Sequence, residues 1–313
     1  LKYNLKISVV ILTYNRCHMV KELVNSLMQL EYKNLEIIVV DNNSDDDTNI
    51  TLQKFGGAIR YIRTDRNIGV AARNYGLEAA DGEVIVTLDD DISNLSDDAI
   101  KKIILLFNDN EEMAALNFRV VDSKYGSIIN WVHHREIEKF CYKTFDTYEI
   151  TEGAVAFRKR FLELAGLYPT YFFISHEGVD LAFRIMDRGY KVIYCGDIRV
   201  EHSTAGAGRA SWRRYYYDTR NQFLVSMRNF PANYAARYLV RGLIAMLVYS
   251  VRDGYFSYYL RGIKDGLRDS YKNRDDRKVL AAGTMKRIYK MDKERPSVLY
   301  MLKKRIFQRG IRI

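Results

Sequence analysis

The segment GEVIVTLDDD, Gly82 to Asp91, sets the narrowest limits on how this chain can fold. Val84, Ile85, Val86 and Leu88 form a short, β-branched apolar run of the kind that fills a buried strand. The run stops in three successive carboxylates, Asp89, Asp90 and Asp91. Burying such charges without partners is strongly unfavourable, so the strand must end at a cation, a basic partner or water. In open α/β sheets, ligands bind at the carboxyl ends of the strands. Asp89 and Asp91 there have the hard oxygen donors that suit Mg²⁺ or Mn²⁺. The competing reading is an Asp-rich surface turn that caps the next helix, and the rest of the chain decides between them.

Upstream, the strand pattern recurs at Ile7 to Thr13, Leu35 to Val40 and Ala58 to Ile62. Arg16 to Leu30, Thr48 to Phe55 and the Ala-rich Ile68 to Ala80 read as the helices between them. This order predicts an α/β fold with a mostly parallel sheet and helices on both faces. The strands end in Thr13-Tyr14-Asn15, Asp41-Asn42 and Asp89 to Asp91, which gather along one sheet edge as a polar cleft. No G-x-G-x-x-G follows the first strand and no G-x-x-x-x-G-K-[ST] occurs, so a nucleotide must be held by another route. Asp41 is placed to accept hydrogen bonds from a base or ribose, or else forms the turn. Asn67, Gly69 and Arg73 open the third helix, where N–H groups and a guanidinium can face a diphosphate. Arg73 reads alternatively as a surface ion pair.

SVVILTYNR (8–16), VVDNNSDDDT (39–48), NIGVAARNYGLEAADGEVIVTLDDD (67–91) and HEGVDLAFRIMDRGYKVIY (176–194) together resemble the inverting family 2 glycosyltransferases of GT-A fold, in particular the rhamnosyltransferase-like group of bacterial surface-polysaccharide synthesis. The resemblance covers about residues 6–230. It implies a nucleoside-diphosphate sugar donor (UDP- or dTDP-linked), a divalent metal (Mn²⁺ or Mg²⁺), and a glycan or lipid-linked glycan acceptor activated by a carboxylate. Thr13, Tyr14 and Asn15 would line the nucleotide pocket, with Asp41 on the base and Arg73 near the ribose or diphosphate. Asp89 and Asp91 match the metal motif, Asp90 faces the sugar, and His202 completes the metal site. Relatives often carry E-D-x-D-L where this chain has Glu177-Gly178-Val179-Asp180-Leu181. With Gly178 in the second acidic place, the base falls to Glu177, with Asp180 the alternative; Asp180 also reads as a first-turn carboxylate favoured by the helix dipole. The helix that follows places Leu181, Ile185 and Met186 inward and Arg184 and Arg188 outward. Thr151 to Ala154 borders the acceptor side.

Beyond it, Gly206 and Gly208 permit a mobile loop over the donor, and Arg209, Arg213 and Arg214 suit a diphosphate. Trp212 and Tyr215 to Tyr217 either stack on sugar or lipid or pack the next helix. From Ala232 to Ile313 there are 20 Lys and Arg against 7 Asp and Glu, a net charge of +13, while the whole chain carries +10. The basic character therefore belongs to the tail, which divides the chain into a catalytic domain (1–231) and a helical, aromatic-rich C-terminal appendage (232–313). Its longest uncharged apolar run, Gly242 to Val251, is about half a membrane span. That profile points to an interfacial helix on an anionic membrane rather than to nucleic acid. Packing on the catalytic domain, or an oligomer interface formed by these helices, is the alternative. Three scattered cysteines, Cys17, Cys141 and Cys195, suit a reducing compartment. The expected location is cytoplasmic, peripheral at the inner face of a bacterial cell membrane. Two other functions fit less of the chain. A sugar nucleotidyltransferase needs a Gly-rich basic loop after the first strand, which Thr13-Tyr14-Asn15-Arg16 lacks. A catalytically silent glycan- or nucleotide-binding module is kept open by Gly178.

Overall fold

The computed structural model describes residues 4–203, 212–297 and 299–300. Its centre is a nine-stranded sheet in the order β3-β2-β1-β4-β8-β6-β9-β5, with β7 also paired to β9. The first half is parallel: β1 (Ile7–Thr13), β2 (Leu35–Asp41), β3 (Arg60–Arg63) and β4 (Val84–Asp89) are joined through α1 (Cys17–Met28), α2 (Thr48–Gln53) and α3 (Arg73–Ala79). The second half is mixed. After β5 (Ile92–Ser93), α4 (Asp97–Asp109), β6 (Met113–Asp122), α5 (Ile137–Phe140) and β7 (Thr144–Thr147), strand β8 (Ala154–Arg158) returns antiparallel between β4 and β6. Then α6 (Lys159–Ala165) and α7 (Glu177–Asp187) lead to β9 (Lys191–His202), which runs parallel to β6 and antiparallel to β5 and β7.

Alternation along the strands assigns the two cores. Val9, Ile11, Val84, Val86 and Leu88 join Val20, Leu23 and Leu27 of α1 and Ile100, Ile103 and Phe107 of α4. Val10 and Ile85 point the other way, toward Leu77 of α3 and Leu181, Ile185 and Met186 of α7. β3 starts later than the sequence pattern predicts because Gly56–Ala58 form a 3₁₀ turn. The third helix likewise opens as a 3₁₀ turn over Gly69–Ala72 before becoming α-helical. Gly69 has φ +69°, and a Cβ there would land on the Phe173 carbonyl oxygen, which already accepts the Val70 N–H at 2.7 Å. Gly69→Ala adds left-handed strain to a backbone clash, so it is expected to lower stability by about 2–3 kcal/mol in urea denaturation.

Among the described residues there follow α8 (Trp212–Asn229), α9 (Ala232–Arg252), α10 (Phe256–Lys272) and α11 (Ala282–Asp292). Tyr215, Met246, Tyr249 and Tyr259 make a small core among α8, α9 and α10. Met285 and Ile288 of α11 enter the same core as α7. The division at residue 231 thus falls at the cap of α9, and helices on both sides of it share packing. Trp212 stacks on Tyr258 at 5.1 Å and Tyr215 on Tyr255 at 5.0 Å, so these aromatics pack the neighbouring helices. α9 is longer than its apolar run: its 21 residues contain an 18-residue window of mean hydropathy 1.2, long and apolar enough to cross a membrane by length and composition. One side of α9 packs through Tyr234, Met246 and Tyr249, while Val240, Ile244, Leu247, Val248 and Val251 form an exposed stripe. On α10, Phe256, Leu260 and Leu267 are likewise exposed.

Candidate active site

The carboxylates at the end of β4 have three different environments. Asp89 is bonded to the Arg73 guanidinium, and Gly153, at φ +74°, lies so close that a Cβ would strike the Asp89 carboxylate. Asp90 accepts the Thr13 hydroxyl at 2.8 Å and Arg16 Nη1 at 2.7 Å. Burial pushes the Asp90 carboxyl up to about 6 against the pull of Arg16. Asp91 takes Arg16 on one oxygen, while its Oδ1 lies 3.4 Å from His202 Nε2. The chain brings His202 there through β5, since Ile92 pairs with His202 and the Ser203 N–H donates to the Asp91 carbonyl at 2.8 Å. Asp91 and His202 therefore lie side by side, whereas Asp89 turns to Arg73. Among the described residues no three His, Cys, Asp or Glu side chains converge as a metal cage. Asp91 Oδ1 is nevertheless buried with no hydrogen-bond donor, an oxygen suited to a hard cation.

Behind Asp89 stands a second acidic group. Arg73 is 1 % exposed, and its Nη1 approaches Glu152 Oε2 at 3.5 Å. Burial disfavours the Arg73 charge, but Asp89 and Glu152 outweigh it and hold the guanidinium above its ordinary range. Glu152 also accepts the Tyr168 hydroxyl at 2.9 Å. Burial, opposed by Arg73 and assisted by Glu177, pushes its carboxyl up to about 8. Glu177 opens α7 and is buried. The turn before it holds Phe173, Ser175 and His176 at φ 65°, 74° and 65°, unusual for side-chain-bearing residues. Such a backbone persists where its surroundings over-determine it. Here Asn221 Nδ2 donates to the Ile174 and Ser175 carbonyls at 2.7 Å each, the Ser175 hydroxyl donates to Asp218, and Tyr217 stacks on Phe173 at 5.3 Å.

Several predicted residues serve the scaffold. Asp180 is fully buried and bound to Arg184 Nε at 2.9 Å, Asn229 Nδ2 at 2.8 Å and Arg228 Nε at 3.3 Å, which removes it from the cleft. Arg184 is turned inward, not outward: it donates to the carbonyls of Ala165, Gly166 and Leu167 that close α6. Asp41 is a turn former, its oxygens accepting the Ser44 N–H at 2.8 Å, the Tyr61 hydroxyl at 2.8 Å and Arg63 at 3.4 Å. Asn67 accepts from Asn42 and from the Gly69 N–H, both at 3.0 Å, so the N–H groups expected to face a diphosphate are already used. Asn15 binds the loop at Ser44 and Asp45, while the exposed Tyr14 side chain is left without a role in that loop. Arg213 lies on α8 beside Trp212. Arg209, Gly206 and Gly208 lie outside the described residues.

The family model for glycosyl transferase family 2 matches residues 8–179, more than half of the chain. The chain belongs to glycosyl transferase family 2. Among curated relatives of this family 2 chain, the O-antigen chain rhamnosyltransferase WbaN of Salmonella anatum is 24% identical, covering 58% of the chain and 60% of the relative. RfbN of Salmonella typhimurium is 25% identical over 68% of the chain and 71% of its own length. Thus the chain spans about three fifths of the first relative and somewhat more of the second. Among solved structures, Staphylococcus aureus TarS 1-349 with UDP-GlcNAc aligns at TM-score 0.59 and 16% identity, over 84% of this chain and 81% of that one. A Pyrobaculum calidifontis mannosyltransferase with GDP-Man and Mn²⁺ aligns at TM-score 0.55 and 18% identity, over 87% of each. These structures share the GT-A fold.

Within that family frame, three residues of the site were not singled out from sequence. Arg16 carried a signal, since it directly follows the polar end of β1, the strand beside β4. Glu152 carried an indirect one in the missing acid at 178. Asn221 carried none, because the carbonyls its amide holds lie 46 to 49 residues away in the chain.

Proposed function

We propose that this family 2 enzyme transfers a sugar, with inversion, from a UDP- or dTDP-linked donor to a hydroxyl of a glycan or lipid-linked glycan in surface-polysaccharide synthesis. The observation that carries this reading is the Asp89–Asp91 cluster closed by His202 at one side of Arg73, with the Glu152 and Glu177 pair at the other. Asp91 and His202 would hold a divalent cation, with Asp89 two residues before Asp91. Bound there, such a cation neutralises charge growing on the departing diphosphate. Arg73 fixes Asp89 and stays buried. Tyr14, exposed at the end of β1, is available to a nucleotide base, and Arg213 adds positive charge near the donor side. The acid pair supplies the base for the acceptor hydroxyl. One direct displacement needs no carboxylate nucleophile, so inversion follows. The names of the relatives and the nucleotides and Mn²⁺ in the structural neighbours support the same chemistry. Purified protein with Mn²⁺ or Mg²⁺ should be thermally stabilised by one member of a nucleotide-sugar panel and should slowly hydrolyse it. No stabilisation by any UDP- or dTDP-sugar would end this reading.

The same protein is proposed to sit on an anionic membrane through α9 and α10. The exposed stripe from Val240 to Val251 is flanked by Arg237, Arg241 and Arg252. Each basic residue near an anionic surface adds about 1 kcal/mol, screened by salt. Replacing Val240, Ile244 and Val251 together by Ser leaves the packed side of α9 intact. That variant is expected to lose salt-resistant co-sedimentation with vesicles containing phosphatidylglycerol. Equal sedimentation of both proteins, or none with either, would assign the stripe to protein contacts instead.

A further inference from the structure

We propose that the group taking the acceptor's proton is Glu152, whose carboxylate fills the space left by Gly178; this rests on the transferase reading above. A Cβ built on Gly178 would stand 2.6 Å from Glu152 Oε1 and 2.9 Å from the Ile150 carbonyl oxygen. An acid at 178 and Glu152 in its present position therefore exclude each other. Glu152 stands in the turn that leads into β8 (Ala154–Arg158), against the head of α7. Glu152 is also the better placed of the pair. Glu152 is half-buried, while Glu177 is buried.

The two oxygens of Glu152 have different surroundings. Oε2 is anchored by the Tyr168 hydroxyl and by Arg73. Oε1 is buried and has no hydrogen-bond donor, and what lies over it is the bare Cα of Gly178. Gly153, the next residue, lies against the Asp89 carboxylate, so the base and the cation-binding loop are held to one another by consecutive residues. In the step itself the acceptor O–H bond breaks and its proton passes to the Glu152 carboxylate. The freed electron pair forms the bond to the anomeric carbon. The anomeric C–O bond to the diphosphate breaks, and its pair leaves on the nucleoside diphosphate.

The test compares Glu152→Gln, Glu177→Gln, Glu152→Ala and the double variant Glu152→Ala with Gly178→Asp in the full chain. Glu152→Gln should lower kcat about 10²–10⁴-fold while donor KM and calorimetric UDP affinity stay within about 3-fold. Glu177→Gln should lose less than about 10-fold. The double variant, which moves the carboxylate to position 178, should transfer at least about 10-fold faster than Glu152→Ala, an outcome that a purely structural Glu152 would not produce. Glu152→Gln within about 10-fold of wild type, or a deeper loss for Glu177→Gln, would overturn the assignment. Circular dichroism reports folding; should Glu152→Gln not fold, recovery or no recovery in the double variant decides alone. Wild-type protein that binds no nucleotide sugar would defeat the transferase reading itself, and this assignment with it.

Discussion

Asp180→Asn is expected to lower the stability of the fold by about 3–5 kcal/mol while sparing the chemistry of each folded molecule. The carboxylate is fully buried and joins two helices through three partners: Arg184 of its own helix, and Arg228 and Asn229 at the end of α8. Removing its charge leaves two guanidinium groups short of a partner in a dry site, and an uncompensated buried charge is far more destabilising than an absent pair. Arg184 also closes α6 through three carbonyl oxygens, so its displacement spreads beyond α7. A drop of roughly 10 °C in melting temperature is the corresponding readout. Activity normalised to the folded fraction should stay near wild type. A variant as stable as wild type but inactive would return Asp180 to the chemistry.

The second large effect is expected at Asp91. Asp91→Asn keeps the shape of the side chain and removes the charge that faces His202 and Arg16. Calorimetry with UDP or dTDP in the presence of Mn²⁺ should show at least about a 100-fold loss of affinity, because a cation site that loses a charged oxygen ligand loses most of its hold. Chelation of the metal should weaken the wild type by a similar factor and the variant little further. Equal wild-type affinity with and without EDTA would remove the cation from the proposal. Arg16 sharpens the expectation, since its guanidinium already neutralises Asp90 and Asp91 and a divalent ion must compete with it.

What the sequence makes legible is set by periodicity and by strand ends. The β-branched runs at Ile7, Leu35 and Val84 become neighbouring parallel strands, and their polar ends lie side by side, Thr13 opposite Asp41 and Leu12 opposite Asp89. A strand pattern says that Asp41 stands at the edge; it does not say that Tyr61 and Arg63, from β3, will occupy its oxygens. Asp89 and Asp91 alternate in the chain as a metal pair should, yet the buried Arg73 draws one of them away. The family resemblance led to His202, and the short β5 pairing is what brings it beside Asp91. Glu152 was quoted only as a border residue, because its meaning depends on a contact with position 178. The apolar stripe of α9 is visible in helical spacing, whereas the shared packing across Pro231 arises from long-range contacts that no local pattern carries.

The left-handed turn ahead of Glu177 is held from outside the region that the family model covers, residues 8–179. Asn221 grips its carbonyls, and the adjacent Arg220 reaches the Tyr171 carbonyl at 2.9 Å while anchoring to Asp269 of α10 at 2.8 Å. Those two residues act as a guy-line, with α10 as the stake. A chain cut after Pro231 retains every motif of the family and loses Asp269. Tension in the turn that aims the head of α7 then slackens, although nothing near the cleft has been removed.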